Sequence, residues 1–108
     1  MEVKKVIGIV QTAALEKVQN RLHEMGIKGL SVSSVKGYGE YKDILRENWL
    51  VTHARIEIFT EKTKADEIAD AIMNVAHTGG PGDGIVCILP VEKIFRIRTR
   101  SEAKPDEI

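Results

Sequence analysis

Apolar residues along this chain recur at two different intervals, and the switches between them divide it into elements. Lys4 to Val10 is dense in Val and Ile and predicts a first strand, which ends at the polar pair Gln11-Thr12. From Thr12, a suitable N-cap, apolar residues fall at Leu15, Val18, Leu22 and Met25. Those spacings of three and four put one stripe on one helix face, and Gly26 closes the segment. Ile27 to Tyr38 carries Leu30, Val32 and Val35 among serines and glycines and predicts a second strand, with Gly37 and Gly39 marking its end. Glu40 to Asn48 has little periodicity and predicts a loop. Trp49 to Thr60 then alternates, with Leu50, Thr52, Ala54, Ile56 and Ile58 on one face and His53, Arg55, Glu57 and Phe59 on the other. Thr63 is expected to cap a second helix carrying Ile68, Ala69, Ile72, Val75 and Ala76 on its apolar stripe. Ile85 to Leu89 is a continuous apolar run and predicts a buried fourth strand. Ile94 to Thr99 predicts a short extra strand.

The resulting order, β-α-β-β-α-β, is that of an α+β, ferredoxin-like sandwich. Two helices cover only one face of such a sheet, so a homo-oligomer is expected to cover the other. The 108 residues suit one domain with one core, read as residues 1–100 followed by a flexible C-terminal tail, 101–108. Sixteen Lys and Arg balance sixteen Asp and Glu, which excludes a global basic field for nucleic acid or an anionic membrane. The single Cys87 excludes an internal disulfide and a multi-cysteine zinc site. Two lysines precede the first apolar run as in a signal sequence, yet the run is far too short to span a bilayer; a soluble, cytoplasmic protein is expected.

Candidate chemistry is sparse. Glu57 is a lone carboxylate, Ser31, Ser33 and Ser34 have no His-Asp pattern beside them, and Cys87 reads as a small core hydrophobe. His23, His53 and His77 lack ligand spacing, so neither an enzyme nor a metal site is expected. The segment His77-Thr78-Gly79-Gly80-Pro81-Gly82-Asp83-Gly84 is different. Its glycines allow successive backbone N–H groups to converge on an anion, although on composition alone a helix C-cap followed by a Pro-Gly turn is the favoured account. Arg96 and Arg98, two apart on the expected last strand, would point the same way and offer two guanidinium forks; a solvated edge strand is the plainer alternative. A glycine nest beside paired arginines suggests a phosphorylated ligand.

Ordered motifs then carry a specific resemblance: Val35-Lys36-Gly37-Tyr38-Gly39, Ile56-Glu57-Ile58, Thr78-Gly79-Gly80-Pro81-Gly82-Asp83-Gly84 and Ile94-Phe95-Arg96-Ile97-Arg98-Thr99. From Lys5 to Thr99 the chain resembles the PII family of signal-transduction proteins, which act in nitrogen regulation. The resemblance implies a homotrimer, non-catalytic, with adenine nucleotides (AMP, ADP or ATP) in the clefts between subunits. It also implies a T-loop after the second strand that contacts a membrane transporter or metabolic enzyme. Carried over by position, Gly37, Tyr38 and Gly39 form the turn against the nucleotide, and Ser31, Glu57 and Phe59 lie around adenine and ribose. Gly82, Asp83 and Gly84 form the phosphate-wrapping B-loop. Arg96 and Arg98 come from the adjoining subunit.

Departures from the family pattern redirect the ligand. Ile85 stands where the B-loop ordinarily ends in lysine, Glu40-Tyr41 replaces Arg-Gln, and His53 aligns with the lysine that clamps 2-oxoglutarate. The T-loop is shorter and lacks the tyrosine that is uridylylated. These changes favour ADP or AMP over Mg-ATP, with no obligatory cofactor. They also suggest a small anion such as bicarbonate at an effector site holding Lys42 and His53. A structural or metal-tolerance trimer without nucleotide binding is the alternative.

Overall fold

The structure, a computed structural model, describes residues 1–39 and 50–108. The expected loop at Glu40 to Asn48, with Lys42, therefore lies outside the described residues, as does Trp49. Four strands form an antiparallel sheet in the order β2-β3-β1-β4: β1 (Val3–Gln11), β2 (Ser31–Gly37), β3 (Val51–Glu61) and β4 (Gly84–Val91). Helices α1 (Leu15–Glu24) and α2 (Lys62–Ala76) cross from β1 to β2 and from β3 to β4, giving the expected α+β ferredoxin-like order. No helix among the described residues is long and apolar enough to cross a membrane.

Alternation along the strands selects one face of the sheet for the helices. Val6 and Val10 of β1 and Ala54, Ile56 and Ile58 of β3 meet Val18 and Leu22 of α1 and Ala65, Ile68, Ala69, Ile72 and Ala76 of α2 in one core. Full burial of each Ile, Leu or Val side chain contributes about 1.5–3 kcal/mol. Gly8 faces this core directly under Ile72, whose Cγ2 lies 3.2 Å from where a Cβ at position 8 would stand. The absence of a side chain there lets α2 settle closely on β1.

Several boundaries differ from the sequence expectation. Thr12 does not cap α1; it opens a 3-10 turn, Thr12–Ala14, from which the helix continues without a side-chain cap. Thr63 likewise lies inside α2, whose N-cap is Glu61. Residues 27–30 are not strand, because α1 ends in a Schellman motif that consumes the start of the segment. Gly26, at φ 83°, donates to the His23 carbonyl and Ile27 to that of Leu22.

The fourth strand is not buried within one chain. It forms a sheet edge, leaving Ile85 63% and Leu89 40% exposed, and Cys87 is exposed beside them. The expected strand Ile94 to Thr99 is also shorter. Only β5 (Phe95–Arg96) is extended, paired with β6 (Ser101–Glu102) around a turn in which Arg100 adopts φ 58° and donates to the Arg96 carbonyl. Arg98 thus sits in the turn, and the two arginines do not share a strand face. Residues 101–108, set apart as a tail by the sequence, begin in β6, bury Ala103 and close in a 3-10 turn, Pro105–Glu107.

Candidate functional site

The residues singled out by sequence gather around two separate cavities of the same chain. The first, of about 380 Å³, lies where β2 ends and β4 begins and is lined by Gly37, Tyr38, Gly39, His53, Gly82 and Gly84. The second, of about 510 Å³, is lined by Ser31, Glu57, Phe59, Arg96 and Arg98. Asp83 faces neither; it borders a smaller cavity beside His77 at the end of α2.

Around the first cavity the backbone is shaped by glycine. Gly82 and Gly84 adopt φ 93° and 102°, a region that side chains avoid. Asp83, between them, turns back on the loop. Its carboxylate accepts from the backbone N–H of Thr78 at 2.8 Å, from that of Gly79 at 2.9 Å and from the Thr78 hydroxyl. Two amides of the glycine nest therefore converge on a carboxylate of the chain itself. These bonds, led by the Thr78 hydroxyl, hold the Asp83 pKa below the usual carboxylate range, with His77 3.8 Å away adding to the effect. His53 Nε2 donates to the Gly82 carbonyl at 3.2 Å, so β3 is tied to the same loop. Tyr38 stands 71% exposed at the mouth, and Ile85 contributes an apolar wall.

The second cavity is built on charge. Glu57 accepts from Lys5 Nζ at 2.8 Å and from Arg55 at 2.9 Å, and these hydrogen bonds, Lys5 first, lower its pKa. Lys5 also lies 5.5 Å from the centre of the Phe59 ring, within cation–π range. Register explains the grouping: Lys5 is opposite Phe59, and Glu57 is opposite Ser31, on the face turned away from the helices. Arg96 pairs through Nε with Glu107 at 3.3 Å, and Lys28 donates to the Asp106 carbonyl at 3.0 Å. Sequence reading missed Lys5, Arg55, Lys28 and Glu107. Arg55 shares a strand face with Glu57 and was within reach of periodicity; the other three arrive through register and chain reversal, which one sequence does not display.

Each cavity supplies part of what a nucleotide requires. The first offers a glycine-shaped backbone and an exposed aromatic ring; the second offers guanidinium groups, a hydroxyl and a carboxylate beside a phenyl ring. No group of three or more His, Cys, Asp or Glu side chains suited to a metal ion occurs among the described residues.

Comparison with known proteins agrees with this architecture. The profile of the family described as nitrogen regulatory protein P-II matches residues 3–101. The nitrogen regulatory protein P-II of Azospirillum brasilense is 37% identical over 103 residues, covering 89% of this chain and 92% of its own. GlnK2 of Haloferax mediterranei is 34% identical over 105 residues, covering 90% and 85%. Among solved structures, PII of Arabidopsis thaliana bound to citrate superposes with a TM-score of 0.81 at 32% identity, covering 95% of this chain and 90% of that one. The GlnK–ATP complex of B. subtilis gives 0.82 at 28%, covering 99% and 98%. The curated relatives carry the names of regulatory proteins, not of enzymes.

Proposed function

Because this chain belongs to the nitrogen regulatory protein P-II family, we propose that it is a trimeric, non-catalytic regulator that binds an adenine nucleotide between neighbouring subunits. The observation that carries the reading is the division of the candidate residues between two cavities of one chain. A ligand that needs both sets is served when the glycine-lined cavity of one copy meets the arginine-lined cavity of the next, a head-to-tail arrangement that forms a ring where the rotation between copies closes. The sheet face bearing Ile7, Ile9, Ile85 and Leu89, opposite the helices, supplies an apolar surface for that association. The ATP in the B. subtilis GlnK complex supports the ligand class.

Within that class, ADP or AMP is the favoured ligand. Ile85 borders Gly82 and Gly84 in the first cavity, where the family pattern has a cation for a terminal phosphate. His53, which lines the first cavity, is the described member of the effector site, for which a small anion such as bicarbonate is the candidate. The chain would act in the cytoplasm, on a transporter or enzyme contacted through the segment between β2 and β3.

Isothermal titration with AMP, ADP and ATP, each with and without magnesium and 2-oxoglutarate, tests the reading, with sedimentation to count subunits. Micromolar binding of AMP or ADP to a trimer, unaffected by 2-oxoglutarate, is the expected result. A trimer that binds no nucleotide at millimolar concentration would make the protein a structural trimer instead.

A further inference from the structure

The 3-10 turn Pro105–Glu107 lies along the second cavity and engages two of its three cations. Glu107 Oε2 is 3.3 Å from Arg96 Nε, and the Asp106 carbonyl accepts from Lys28 Nζ at 3.0 Å. Glu107 is held from its other side as well: Oε1 accepts the backbone N–H of Lys104 at 2.9 Å, and the Glu107 N–H donates to the Lys104 carbonyl at 2.9 Å. Its side chain is only 22% exposed, whereas that of Arg96 is 48% exposed. The turn is thus an acidic element that follows the buried Ala103 and is tied to the cavity at both Asp106 and Glu107. Glu57, the other carboxylate with a role here, is already occupied by Lys5 and Arg55 and leaves the remaining cations alone. Arg98 has no ion pair among the described residues.

We propose that Glu107 is a specificity-determining residue of this cavity: its carboxylate competes with a ligand phosphate for Arg96, so that only ligands bringing an anion to that guanidinium displace the turn. The inference rests on the nucleotide reading above, in which Arg96 meets phosphate. Both anions demand the same planar fork, and a phosphate arriving at Arg96 meets like-charge repulsion from Glu107, which releases both of its oxygens. Glu107 thereby subtracts from the affinity of every phosphorylated ligand while leaving an uncharged nucleoside untouched.

The test compares the full chain with Glu107→Gln. Glutamine keeps a side-chain oxygen for the Lys104 N–H and loses the charge facing Arg96, so the turn is retained. Calorimetry should show ADP binding about 2- to 5-fold tighter in the variant, the range expected for a partly exposed ion pair, with adenosine binding unchanged. Equal or weaker ADP binding, or an equal gain for adenosine, would overturn the proposal and leave the nucleotide reading standing. A second arm does not need a nucleoside. Millimolar tripolyphosphate should accelerate amide exchange at Lys104 in the natural chain, because the released Glu107 no longer holds it. Unchanged exchange there would overturn the competition. If neither protein binds ADP, the nucleotide reading fails and this arm alone decides.

Discussion

The carbonyl oxygen of Ile9 stands 1.8 Å from the point that a Cβ at Gly84 would occupy. Gly84 is paired with Val10 across the sheet and holds φ 102°, so β4 starts at a place where β1 leaves no room for any side chain. Gly84→Ala combines left-handed backbone strain with a clash against backbone that cannot rotate away. We expect a loss of at least about 2–4 kcal/mol, read from urea unfolding against the natural chain.

Acid should loosen the glycine loop before it unfolds the core. Asp83 and Glu57 both have folded pKa values below their ordinary ones, for reasons of hydrogen bonding to Thr78 and to Lys5. The unfolded chain, with reference values of about 3.9 and 4.3, binds their protons first as pH falls. Their contribution is therefore complete above about pH 5 and disappears as pH drops through the lowered folded values. Urea midpoints measured from pH 6 down to pH 3 should fall, and Asp83→Asn and Glu57→Gln should each flatten that fall. An unchanged slope in both variants would contradict the geometry.

Gly8 and Ile72 form a matched pair at the contact of β1 with α2. With only 3.2 Å between a Cβ at position 8 and Ile72 Cγ2, Gly8→Ala is accommodated only by movement of Ile72. Ile72→Val keeps Cγ2 but removes Cδ1, 3.5 Å from the same point, and eases the repacking. A double-mutant cycle should give a coupling of about 0.5–1.5 kcal/mol, with Gly8→Ala less costly in the valine background.

Ile85→Lys restores a cation to the wall of the first cavity. Position 85 is 63% exposed within one chain, so the longer side chain leaves the protomer core undisturbed; because Ile85 also belongs to the apolar association face, sedimentation must show that the variant keeps the subunit number of the natural chain. A charged hydrogen bond contributes about 1.5–3 kcal/mol, and ATP should bind about 10- to 150-fold tighter, with AMP gaining less. Calorimetry with the three nucleotides reads the difference directly.

The sequence disclosed the elements whose periodicity is unambiguous and misread those whose surroundings decide them. β3 alternates because one of its faces meets α1 and α2, and it was legible from Ala54, Ile56 and Ile58 alone. β4 is apolar on both sides and read as buried, yet in one chain it is an edge; its apolar residues are suited to a neighbour that the sequence does not show. Arg96 and Arg98 border one cavity, but the strand face that the sequence led us to expect them to share does not exist, because the chain reverses at Arg100, a non-glycine residue at φ 58°. The glycine loop stood out as a candidate anion nest, although composition alone favoured a helix C-cap followed by a Pro-Gly turn. That Asp83 would fill two of its amides was not legible, since an aspartate beside a nest serves equally as its own cap or as a neighbour of the ligand.

The position of β1 also sets a timetable. This first strand is the centre of the sheet, hydrogen-bonded along Val3–Gln11 to β3 on one side and along Val3–Val10 to β4 on the other. As the chain leaves the ribosome, β1 can begin to pair with β3 only once His53 has emerged and with β4 only once Gly84 has, and the two ladders are complete only after Glu61 and Val91. Until then an apolar strand presents an unpaired edge to the cell, and the sheet closes only when the last strand has been made.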